Sequence, residues 1–81
     1  MSCLLNCKNT TIAISVMNEL KNKNVLAWIV PKPSQISDGC GLSLIINDVD
    51  FNIIDTNSDK YVVYLVESLN NKKNYKRISS N

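Results

Sequence analysis

Val25-Leu26-Ala27-Trp28-Ile29-Val30, then Pro31-Lys32-Pro33-Ser34-Gln35-Ile36-Ser37-Asp38-Gly39-Cys40-Gly41, then Leu42-Ser43-Leu44-Ile45-Ile46: this stretch, residues 25–46, decides the fold. Its two ends are short apolar runs, rich in β-branched residues and bounded by turn formers, and each reads as a strand. Pro31 and Pro33 end the first run, because proline lacks a ladder N–H and constrains the residue before it. The eleven residues between the runs, 31–41, form a loop that closes on Gly39-Cys40-Gly41.

Upstream, Cys3 to Cys7 reads as an earlier strand. Asn9, Thr10 and Thr11 offer N-cap oxygens. Ile12, Ala13, Val16, Met17 and Leu20 then make one apolar helical stripe, running to about Lys21 and stopped by Asn22-Lys23-Asn24. Downstream, Asn47-Asp48 can cap a short second helix carrying Val49, Phe51, Ile53 and Ile54, although that stripe is poorly spaced. Asn57-Ser58-Asp59 is turn material, and Tyr61 to Val66 reads as a last strand. The order is β-α-β-β-α-β. It predicts an α+β, ferredoxin-like fold: a four-stranded antiparallel sheet in the order 4-1-3-2, with two helices on one face.

Bulk properties bound the function. The 81 residues suffice for one domain with one modest core, and a hydrophobic content of 44% is that of a globular chain. Residues 1–69 are expected to form that domain. Residues 70–81 carry Lys72, Lys73, Lys76 and Arg77 without an acid and read as a polar, basic, disordered tail. Against seven acids, the other five lysines leave residues 1–69 slightly acidic, so no basic nucleic-acid face is expected. No apolar run reaches the roughly 20 residues of a membrane span. The start lacks the basic and apolar regions of a secretion signal. These features point to a cytoplasmic protein that binds no membrane.

The chain has three cysteines and no histidine. Histidine acid–base catalysis is excluded, and neither a zinc site nor a disulfide framework has the spacing it needs. Cys40 is the candidate working residue. In the expected topology the loop carrying it shares a sheet end with Cys7 and with the start of the first helix. The partial positive charge of a helix N-terminus favours a thiolate. Glycines on either side leave room for another molecule to approach. The plainer alternative is that Gly39 and Gly41 make a tight turn and Cys40 is a small hydrophobe. Cys3 and Cys7 share one face of their strand with Leu5, which favours a core role for both; Cys7 is also a candidate second thiol.

Pro31-Lys32-Pro33, Ile36-Ser37 and Cys40-Gly41-Leu42-Ser43-Leu44 together resemble the selenium/sulfur carrier-like small domains of bacteria, with their P-x-P-x-x-I-S-x-x-C-G-L core. Asn9-Thr10 and Ala13-Ile14 match the family's helix start more loosely, and the likeness spans about residues 4–66. The chain departs from the pattern at Ser34-Gln35, where the family carries Arg-Glu, and at Met17, where it carries Glu. The resemblance implies a carrier or accessory protein rather than a stand-alone enzyme. Cys40 would hold a persulfide or selenosulfide and pass it between donor and acceptor proteins, framed by Pro31, Pro33, Gly39 and Gly41. No cofactor or metal is called for. A second class of function stays open: a binding or regulatory module acting through an open sheet face, where Trp28 and Tyr64 would make a homodimer or partner surface.

Overall fold

The computed structural model describes residues 2–37, 41–47 and 53–78. In chain order these form β1 (Ser2–Cys7), α1 (Thr10–Asn22), β2 (Ala27–Pro31), β3 (Leu42–Asn47), β4 (Tyr61–Leu69) and β5 (Lys72–Arg77). The five strands make one sheet in the order β2-β3-β1-β4-β5, and every neighbouring pair is antiparallel.

β1 lies at the centre and is buried from Cys3 to Cys7. It shows no polar alternation because both of its faces are covered. Cys3, Leu5 and Cys7 face α1 and pack with Ala13, Val16, Leu20, Leu44, Ile46 and Val63. Leu4 faces the other way and packs with Ile36 and Tyr64.

The helix has clear local causes at both ends. Asn9, in extended conformation, accepts the Ile12 N–H on Oδ1 at 2.8 Å and caps the first turn. At the other end Asn24 takes a left-handed φ of 61°. There the Asn24 N–H reaches the Lys21 carbonyl at 3.0 Å and the Val25 N–H reaches Leu20 at 2.8 Å. This crossed pair is a Schellman stop, and Val25 completes it by packing against the core that holds Leu20.

Two expectations are corrected, and with them the ferredoxin-like assignment. The sheet has five strands rather than four, and α1 is the only α-helix among the described residues. Of the segment expected to form a second helix, Asn47 ends β3, residues 48–52 lie outside the described residues, Ile53 has 3₁₀ conformation, and residues 54–60 run as turns, bends and irregular chain. Ile54 is instead buried against the helix-side core, with Ile53 packed beside it. Asp55 Oδ1 then accepts the Asn57 N–H at 2.9 Å and Ser58 Oγ the Lys60 N–H at 3.1 Å, side-chain bonds that favour turns over helix.

The second correction concerns the expected tail. Lys72–Arg77 is β5, paired residue for residue with Tyr64–Leu69. Asn70 and Asn71 link the strands with φ values of 51° and 63°, the two positive values a two-residue type I′ hairpin requires. Lysines suit this position because an edge strand lets their charges reach water and discourages further pairing. Tyr75 anchors the strand on the Leu4 side, and Ile78 packs on the helix side.

Candidate functional site

Strand register places the loop of residues 32–41. Val30 lies opposite Ser43 on β3, and Ser43 lies opposite Asn6 on β1. One step on, Pro31 pairs with Leu42, and beyond it the Lys32 N–H donates to the Gly41 carbonyl at 3.0 Å. This stem therefore stands at the end of the sheet where β1 finishes at Cys7 and α1 begins at Thr10. Pro31 forms part of β2 rather than stopping it, at an outer-edge position where no ladder donor is needed.

The first half of the loop is tied down. Ile36 N–H donates to the Pro33 carbonyl at 3.0 Å, and Lys32 Nζ to the Ser37 carbonyl at 3.4 Å. Ile36 is only 4% exposed and packs with Leu4 and Tyr64 on the sheet face away from α1. Sequence reading missed this anchor. Its one signal was a lone apolar residue amid Ser, Gln and Asp. The same contact covers Tyr64, so the face expected to be open through Trp28 and Tyr64 offers Trp28 but buries Tyr64.

Beneath the loop stem, Ser43 Oγ donates to Asn6 Oδ1 at 3.1 Å, and both side chains are buried. This polar pair joins β1 to β3 directly below Gly41. A Cβ built on Gly41 meets nothing within 4 Å, so the backbone there faces open space.

The expected site residues fall into two groups. Pro31, Pro33 and Gly41 are placed as above, while Asp38, Gly39 and Cys40 lie outside the described residues. Cys3 and Cys7 are both 0% exposed in the helix-side core. The Cys7 Sγ lies 4.0 Å from the Leu5 carbonyl oxygen. Burial pushes the Cys3 thiol up to about 11 from an ordinary 9.0. A resolving thiol needs exposure, and Cys7 has none here; it packs.

A concavity lies between α1 and the turn of residues 53–61. It encloses about 470 Å³ and is lined by Glu19, Lys23, Asp55, Asp59, Lys60 and Tyr61 among others. Burial raises the Tyr61 pKa, opposed by the hydrogen bond its hydroxyl accepts from Asp55 N–H. Glu19 and Lys60 approach to 3.6 Å with both side chains half exposed, a pair worth little in water. Among the described residues no group of three His, Cys, Asp or Glu side chains stands close enough to hold a metal ion, and no helix is long and apolar enough to cross a membrane.

A comparison with known families matches residues 2–63, from β1 into β4, to the family described as Putative Se/S carrier protein-like. The chain belongs to that family. The matched range takes in the tethered loop, the 3.0 Å stem and the capped start of α1. β5 lies beyond it. No curated protein and no solved structure matches the chain.

Proposed function

We propose that this chain carries sulfur or selenium on Cys40. The observation that carries the reading is the burial of the other two thiols. Cys3 and Cys7 have no exposed surface, and the raised Cys3 thiol stays protonated at neutral pH. A carrier thiol must be accessible and partly ionised, which leaves Cys40. Its neighbour Gly41 stands in open space at the sheet end that also holds the N-terminus of α1 and Lys32. A helix N-terminus or a lysine close to a thiol favours the thiolate.

The step is a thiol exchange. The Cys40 thiolate attacks the outer sulfur of a donor persulfide, and a bond forms between Cys40 Sγ and that sulfur. The donor's S–S bond breaks, and its thiolate leaves with the electron pair. Cys40 is left as a persulfide; selenium in place of the outer sulfur leaves a selenosulfide. No net oxidation occurs and no cofactor is consumed. An acceptor thiol repeats the exchange. Donor and acceptor are thus proteins bearing reactive thiols, met in the cytoplasm. The chain is a carrier between them, with no membrane or nucleic acid involved.

Intact mass after incubation with a small-molecule persulfide tests this. The native chain should gain the mass of one sulfur atom, reversed by a reducing thiol. Cys40→Ser should gain nothing, while Cys3→Ala and Cys7→Ala should load as the native chain does. Loading that survives in Cys40→Ser overturns the assignment.

A further inference from the structure

The two edges of the sheet are built differently. β5 carries Lys72, Lys73, Lys76 and Arg77, so two copies of that edge would set like charges against each other. β2 carries no charge, and around it Leu26, Trp28 and Ile29 are 74%, 48% and 44% exposed. Uncharged, apolar edges of this kind accept another strand.

Hydrogen-bond phase tells which groups point outward. Lys32, opposite Gly41, bonds inward to β3. Alternate residues of an antiparallel strand point their main-chain groups to opposite sides. Val30 and Trp28 therefore also face β3, while Ala27, Ile29 and Pro31 turn their main-chain groups to the outer edge. That edge offers two donors, the N–H groups of Ala27 and Ile29, and three carbonyl acceptors. No element among the described residues pairs with it.

We infer that the outer edge of β2 pairs with β2 of a second copy, antiparallel about a two-fold axis at Ile29. Run this way, Ile29 of each copy exchanges N–H and carbonyl with Ile29 of the other. Ala27 N–H of each copy meets the Pro31 carbonyl of the other. Every outward donor is satisfied, and the donor that Pro31 lacks leaves only an Ala27 carbonyl to water. On one face Ile29 packs on Ile29; on the other, Trp28 of each copy packs on Val30 of its mate. The two sheets become one of ten strands, ended on both sides by the lysine-bearing β5. A closed two-fold pair follows, not a fibre. The loop stems lie at opposite ends of the joint, so neither site is blocked. The inference does not depend on sulfur or selenium chemistry.

Light scattering on a sizing column tests it. The native chain should show twice its own mass at high concentration. Ile29→Lys, which sets two ammonium groups face to face at an already exposed position, should return the monomer mass with an unchanged far-ultraviolet spectrum. In a Cys40→Ser background, Ile29→Cys should cross-link to a dimer on mild oxidation, because an opposed hydrogen-bonded pair has the Cα spacing a disulfide accepts. Ile14→Cys, exposed on α1, should not. The cross-link decides the matter even if Ile29→Lys proves unstable. A native monomer at millimolar concentration, a dimer that survives Ile29→Lys in a folded chain, or equal cross-linking at both positions overturns the inference. A monomer whose β2 edge is taken up only by another protein's strand would do the same.

Discussion

Tyr75→Ala measures whether β5 belongs to the folded domain. Tyr75 is half-buried, pairs with Val66 across the ladder and packs on the cluster of Leu4, Ile36 and Tyr64. Truncating a fully buried aromatic side chain to alanine costs about 3–5 kcal/mol. Half burial on a strand that can partly relax brings this to about 1.5–2 kcal/mol. For a domain of this size each kcal/mol moves the melting temperature by roughly 4–8 °C, so a fall of about 6–16 °C is expected. Lys76→Ala, on the same strand but exposed, is the control and should stay within about 0.5 kcal/mol. Urea unfolding followed by far-ultraviolet circular dichroism gives both values. If Tyr75→Ala matches the control, residues 72–77 carry no packing, and the reasoning that docks the strand through the Asn70-Asn71 turn fails.

Two further outcomes follow from named contacts. The Cys3 thiol has its folded pKa raised by burial, so its contribution to stability is complete below about pH 9 and is lost as pH rises through about 11; denaturant midpoints for the native chain should fall across that window more steeply than for Cys3→Ala, and parallel curves would contradict the assigned burial. Asn9→Ala removes the cap at the start of α1 and should cost about 1 kcal/mol, read as a lower melting temperature; an unchanged value would mean that the 2.8 Å bond adds nothing to the helix.

Much of the site's frame is legible in the sequence. The proline pair, the glycines and the strands on either side placed a loop between β2 and β3, and the chain order placed its stem beside the start of α1. Reading missed where that loop leans. Ile36 is a lone apolar residue in a polar segment, and its partners Leu4 and Tyr64 lie far away in sequence. Only the folded sheet brings them together, and doing so buries the tyrosine that had suggested an open face.

That β1 to β4 and α1 exist was determined by sequence alone, because each carries its own local signal, although β2 begins two residues later than expected and takes in Pro31. Apolar runs bounded by turn formers make the strands, and an apolar stripe between an Asn cap and an Asn stop makes the helix. The first four strands accordingly lie in the order 4-1-3-2. Tertiary structure decided the rest. Lys-Lys-Asn-Tyr-Lys-Arg has too little apolar surface to hold a strand by itself. It becomes β5 because two asparagines turn the chain back onto β4, whose ladder and whose own Tyr64 and Val66 supply the partners. Ile53 and Ile54, in the same way, need no helix of their own to be buried, since the helix side of the sheet already offers them a place.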